Sequence, residues 1–324
     1  MSRKKIFFTA KLPYDVKEHL KEFDVEIYEG EPPIPREVFL EKVQGVDGVC
    51  VLLSEKVDTS VLDKAPSLKI VADYAVGYDN IDVEECTKRG IAVTNTPDVL
   101  TDATGELAWA LVFAVARKVV QAHKYIESRM WKGWSPTLFL GMELKGKTLG
   151  VVGAGRIGQA FALKSSGFEV NVLYNSRRLN EILEQRLGAR KVSLDELLRK
   201  SDIISLHLPL TQETYHIIGE REFSLMKESA IFINTGRGKL VDEAALIRAL
   251  KERRIYGAGL DVYEFEPNVP DELINLDNVV LLPHIGSATF EARQRMAELV
   301  VQNLKAFFEG EMPPNIVNRE IYGK

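Results

Sequence analysis

Three residues in the C-terminal half of the 324-residue chain are of types that could act together on a carbonyl group: Arg237 in INTGRGKLVD, Glu266 in YEFEP and His284 in LLPHIGSAT. Each follows a short apolar run that reads as a strand. All three therefore fall at carboxyl ends of parallel strands, where open α/β sheets put their ligands. An arginine can hold a carboxylate through two parallel hydrogen bonds. An imidazole can give a proton to a carbonyl oxygen, and a carboxylate beside it can orient the ring and favour its charged form. His19, His123, His207 and His216 lack such company and read as hydrogen-bonded structural residues.

A second constellation precedes the trio. In GVVGAGRIGQA, Gly153, Gly155 and Gly158 fit GxGxxG directly after an apolar strand and at the start of a helix. The first glycine turns the chain, the second lets backbone approach a pyrophosphate, and the third packs helix on strand. The amides of Arg156 and Ile157 would then face the phosphates. A strand, the glycines, a helix and a second strand arrive in the order that dinucleotide binding requires. That second strand ends in VLYNSRR, on Asn175, Ser176, Arg177 and Arg178, where an NAD-specific site carries an acid for the ribose hydroxyls. A hydroxyl and two guanidinium groups suit the extra phosphate of NADP instead. NADP(H) is the expected cofactor, with NAD(H) as the alternative.

These residues need a scaffold, and apolar runs alternating with amphipathic segments supply the βαβ pattern twice. The first series is KIFFTA, DVEIYE, DGVCVLL, KIVADYA and IAVTN; the second is TLGVVGAG, EVNVLYN, DIISLHLP, AIFINTG, YGAGLDV and NVVLLPH. Six strands in the second series match a complete dinucleotide-binding sheet. Between the series, residues 101–120 form a helix with Thr101 or Asp102 placed to cap it and a middle apolar on every face. Residues 288–310 form another long helix. The predicted fold class is α/β, with two doubly wound parallel-sheet domains. A Rossmann cofactor domain at 100–283 is inserted in a flavodoxin-like substrate domain made of 1–99 and 284–324.

Composition narrows the function classes. Hydrophobic residues at 45% and charged residues at 27% are ordinary for a globular protein. A net charge of −5 offers no basic footprint for nucleic acid or a membrane surface. The apolar segment AWALVFAVA is about half a membrane span, and the start MSRKKIFFTAKLPYD reads as a first strand rather than a signal peptide. Cys50 and Cys86 lack metal-ligand spacing and read as reduced residues of a cytoplasmic protein. No metal site is expected. The apolar helix followed by the aromatic segment 131–140 predicts a two-fold symmetric homodimer.

GAGRIG, INTGRGKLVDEAAL, GAGLDVYEFEP, LLPHIGSAT and YAVGYDNIDV resemble the successive signatures of the D-isomer-specific 2-hydroxyacid dehydrogenase family, over the whole chain. Within it, DVLTDATGELAWAL, WSPTLFLG and the SRR strand end are similar to glyoxylate and hydroxypyruvate reductases. The resemblance implies that Arg237 binds substrate, Glu266 partners the imidazole and His284 is the acid/base. It further implies that Asp261 meets the nicotinamide carboxamide, Leu208 and Pro209 flank the adenine, and Thr235 and Gly236 line the nicotinamide ribose side. Substrate would rest against Leu53 and the backbone of Val76 and Gly77, and Trp134 would either reach the neighbouring subunit's site or pack in an ordinary dimer-interface hydrophobic patch. The substrate loops carry no Lys or Arg beyond Arg237, which disfavours a phosphorylated substrate such as 3-phosphoglycerate. Phosphite-oxidising relatives would carry Lys near Val76, and formate dehydrogenases Gln at the position of Glu266. The expected reaction is NADPH-dependent reduction of a small 2-oxo acid, glyoxylate first and hydroxypyruvate second. The alternatives are a dehydrogenase for another D-2-hydroxy acid and a dinucleotide-sensing, partner-binding corepressor of the same fold.

Overall fold

The computed structural model describes residues 3–323. The chain divides into two compact units, one running to Leu100 and resuming at Ala288, the other spanning Thr101–Ser287. The second junction thus lies at Ser287 rather than at residue 283, which puts His284 in the central unit with Arg237 and Glu266.

The outer unit is built on five strands: β1 (Lys5–Phe8), β2 (Asp24–Ile27), β3 (Gly48–Val51), β4 (Ile70–Asp73) and β5 (Ala92–Thr94). They pair in the order β2-β1-β3-β4-β5, all parallel, which is the flavodoxin-like doubly wound order. β3 and β4 are buried along their whole length, as strands of a parallel sheet covered on both faces must be. Three connecting helices begin at an aspartate whose carboxylate accepts a first-turn N–H: Asp15 from Glu18, Asp58 from Ser60 and Val61, Asp82 from Glu85. The returning helix, Phe290–Phe308, is capped by Thr289 and buries Ala292, Met296, Ala297, Val300, Val301 and Leu304. The tail then seals β5, with Val317 N donating to Val93 O at 2.7 Å and the Asn318 side chain bonding Val93 N and Ile91 O.

The central unit carries seven strands: β6 (Thr148–Val152), β7 (Asn171–Asn175), β8 (Arg190–Lys191), β9 (Ile203–Leu206), β10 (Ile231–Asn234), β11 (Gly257–Leu260) and β12 (Val279–Leu281). Their order is β12-β11-β10-β9-β6-β7-β8, all parallel. This corrects the expected six. The six apolar runs are all strands, but the third strand of the dinucleotide-binding order is β8, two exposed cationic residues with no apolar signal.

The helix before β6 is shorter than expected, Thr101–Ala116. Lys118 takes a left-handed conformation (φ 53°), and a second helix, Val119–Glu127, follows with no buried residue. Thr101 and Asp102 lie inside the first helix rather than capping it, and Asp102 pairs with Lys164 at 2.9 Å. Nor is the helix covered all round. Trp109, Leu111, Val112 and Val115 are buried against the unit's core, while Ala110 and Phe113 face outward. Both cysteines are free and buried; burial pushes the Cys86 thiol up to about 12. No helix among the described residues is long and apolar enough to cross a membrane, and no His/Cys/Asp/Glu cluster among them could hold a metal ion.

Candidate active site

The glycine turn after β6 has the geometry its spacing requires. Gly153 sits at φ 96°, and a Cβ there would come within 2.5 Å of the His207 carbonyl oxygen. At Gly158 a Cβ would meet Gly153 O at 2.0 Å, so the helix Arg156–Leu163 lies on the turn with no room for a methyl group. Gly155 differs: nothing lies within 4 Å of a Cβ there. It begins the helix without a side-chain cap, at the kind of helix N-terminus where an anion is favoured. A pyrophosphate fits that cradle.

At the end of β7 no carboxylate appears. Asn175 turns its amide to Val192 O (2.9 Å), and its own carbonyl accepts from Gly153 N (2.9 Å), so it staples β7 to both neighbours. Ser176 Oγ donates to Arg178 O. Arg177 and Arg178 are exposed. Two residues not anticipated from sequence hold this loop. Lys191 Nζ donates to Arg177 O at 3.0 Å, and Asn180 Nδ2 bonds both Ala154 O and Gln159 Oε1 at 3.0 Å. The strand end is fixed, cationic and attached to the glycine turn.

After β9, Leu208 is half-buried beside Gly153, and exposed Pro209 accepts from Thr214 Oγ1 at 2.7 Å. His207 packs on Phe161 and bonds Ser205 Oγ; burial pushes it down to about 3, so it is neutral. After β10, Thr235 is buried and Gly236 and Arg237 are half-buried. Asn234, missed from sequence, closes this turn: its Oδ1 accepts from Gly236 N at 3.0 Å and its Nδ2 donates to Arg237 O at 2.9 Å.

After β11, Asp261 is fully buried, and its Oδ1 accepts from Ile285 N at 2.8 Å. Burial raises its pKa from the ordinary aspartate value, against the opposing N–H group of Ile285, the nearby His284 and the N–H group of Gly286. Glu266 Oε1 accepts from Tyr263 N at 2.9 Å, and its Oε2 lies 2.8 Å from His284 Nδ1. Burial pushes Glu266 up, but the His284 hydrogen bond and charge, the Tyr263 N–H and the Arg237 charge outweigh it and hold the carboxyl below its usual value. With Nδ1 bonded to a carboxylate, Nε2 is the ring nitrogen left to exchange a proton. The trio thus comes from three neighbouring strand ends, β10, β11 and β12.

In the outer unit, Leu53 is exposed on the loop after β3, and Val76 and Gly77 follow β4. Side chains unremarkable in sequence brace both loops. Buried Glu55 accepts from Leu52 N (2.6 Å) and Thr9 Oγ1 (2.8 Å). Asn80 Nδ2 bonds Leu52 O and Glu55 O at 3.1 Å, and Asn95 Nδ2 bonds Val76 O at 2.8 Å. Trp134 exposes 85% of its surface.

Residues 109–286 match the model of the D-isomer specific 2-hydroxyacid dehydrogenase, NAD binding domain. The chain is 56% identical over 322 residues to the glyoxylate reductase of Thermococcus litoralis, covering 98% of this chain and 97% of that protein. Among solved structures, it is similar to an NADPH-dependent glyoxylate/hydroxypyruvate reductase from Sinorhizobium meliloti in complex with NADP and malonate. That match has a TM-score of 0.85 and 36% identity, and covers 98% of this chain and 97% of that one. It is similar also to D-lactate dehydrogenase from Aquifex aeolicus complexed with NAD and lactic acid, with a TM-score of 0.86, 32% identity and coverage of 97% and 99%. The chain therefore belongs to the D-isomer-specific 2-hydroxyacid dehydrogenase family and is an NAD(P)-dependent dehydrogenase.

Proposed function

We propose that the protein is an NADPH-preferring reductase of small 2-oxo acids, with glyoxylate as first substrate and hydroxypyruvate as second. The observation that carries the reading is the His284–Glu266 pair at 2.8 Å, with Arg237 on the neighbouring strand end. When bound, a reduced nicotinamide would supply the hydride for the carbonyl carbon. Arg237 holds the substrate carboxylate and so aims the adjacent carbonyl. His284 gives its Nε2 proton to the oxygen as negative charge develops there, and ionised Glu266 stabilises the imidazolium before transfer. Asp261 would accept from the carboxamide, Thr235 and Gly236 would line the ribose side, and Leu208 and Pro209 would flank the adenine. Leu53 and the backbone of Val76 and Gly77 contact the substrate. The small-acid assignment draws on the names of the Thermococcus and Sinorhizobium relatives as glyoxylate and glyoxylate/hydroxypyruvate reductases and on the absence of Lys and Arg from LLS and AVG.

The cofactor preference rests on the end of β7, where two exposed guanidinium groups stand in place of an acid. A cytoplasmic location fits two free cysteines. The test is NADPH oxidation with and without glyoxylate or hydroxypyruvate. Turnover should depend on the 2-oxo acid and fall on the order of a hundredfold or more in His284→Gln. Arg237→Ala should raise KM and lower kcat together. Full activity in both variants would contradict the assignment.

A further inference from the structure

His216 reads from sequence as an isolated structural histidine, yet it is bonded from two sides to the segments that carry the active-site trio. Its backbone N–H donates to Lys239 O at 2.9 Å, two positions after Arg237. Ile218 N continues the pairing to Leu240 O at 3.1 Å, and Asp242 N returns to Ile218 O at 2.9 Å. Its ring Nε2 lies 2.8 Å from Glu264 Oε1, two positions before Glu266.

Glu264 is itself buried and locked. Its Oε2 accepts from Glu243 N at 3.1 Å, the first residue of the helix Glu243–Lys251, where an anion is favoured. In return Glu264 N donates to Glu243 Oε2 at 3.3 Å. The two segments also touch directly: a Cβ on Gly238 would come within 1.8 Å of Tyr263 O. His216 holds a left-handed backbone (φ 50°), costly for a residue with a Cβ, and the Tyr215 ring stacks on it at 4.0 Å.

We propose that His216 is a positioning residue that fixes the Arg237 segment relative to the Glu266 segment, by bonding one through its backbone and the buried Glu264 carboxylate through its ring. The inference rests on the reading of Arg237, Glu266 and His284 as the reacting site. It assigns the spacing between the carboxylate anchor and the proton donor to a cluster that touches neither substrate nor cofactor. Removing the ring leaves Glu264 without its side-chain partner and lets the two segments drift, and a displacement of about 1 Å in such a site can cost on the order of a hundredfold.

The experiment compares the full chain with His216→Ala and His216→Gln, the latter keeping an amide that can donate to Glu264. Four quantities are read: kcat and KM for glyoxylate, the NADPH dissociation constant and Tm. His216→Ala should lower kcat about tenfold and raise KM severalfold while the NADPH constant stays within about twofold, and His216→Gln should recover most of kcat. Loss in proportion to unfolded protein, with KM unchanged and no recovery in His216→Gln, would overturn the proposal. So would unchanged kcat and KM in His216→Ala when Arg237→Ala is crippled. Full activity in Arg237→Ala would instead strike at the site assignment itself.

Discussion

Glu266 carries opposing influences on one carboxyl, and their balance has a pH signature. Because its folded pKa is depressed, the stability it contributes is present above the unfolded value of about 4.3 and is lost as pH falls through the lower folded value. Glu266→Gln should therefore lower Tm near pH 7, with the gap to the parent closing as the medium is taken below about pH 4. A gap that stays constant with pH would contradict this linkage. At this scale the placement of Arg237, Glu266 and His284 at neighbouring strand ends was legible because each lies in the segment that follows an apolar run. Asn234, Glu55, Asn80, Asn180 and Lys191 were not. Each works by bonding a backbone atom, and such pairings leave no period or spacing in the sequence.

At the scale of elements, the Gly153–Gly158 contact sets how close the helix Arg156–Leu163 approaches β6, and hence where its first-turn amides stand. Gly158→Ala should force the helix outward, costing about 1–3 kcal/mol by overpacking and weakening cofactor binding at the same time. Thermal unfolding and cofactor titration of one preparation check it; an unchanged Tm and affinity would mean the turn yields freely. The strands of both sheets were legible where they are continuously apolar, as in GVCV and the first three residues of IFIN, since burial on both faces demands that composition. β8 escaped because two cations at a sheet edge look like loop. The early end of the helix at Ala116 escaped because a left-handed lysine has no compositional mark.

At the scale of the whole molecule, apolar surface gathers on one stretch of chain. Phe113, Val119, Ile126, Met130, Trp131, Trp134, Leu138 and Leu140 are all exposed, and Val119–Glu127 buries nothing. Solitary exposed apolar residues are ordinary, but so many on consecutive elements are not. A homodimer through this surface is expected, and sedimentation at micromolar concentration should find it; a stable monomer would contradict it. Trp134→Ala should raise KM for the 2-oxo acid if the segment reaches the partner's site. The proposed selection of NADPH by an acid-free, doubly cationic strand end is tested most directly by kcat/KM for NADPH and NADH with glyoxylate. The parent should prefer NADPH. The Arg177→Ala/Arg178→Ala double variant should lose on the order of a hundredfold or more on NADPH, since charge-assisted bonds contribute about 1.5–3 kcal/mol each, and almost nothing on NADH. A parent that prefers NADH, or equal losses on both cofactors, would contradict it.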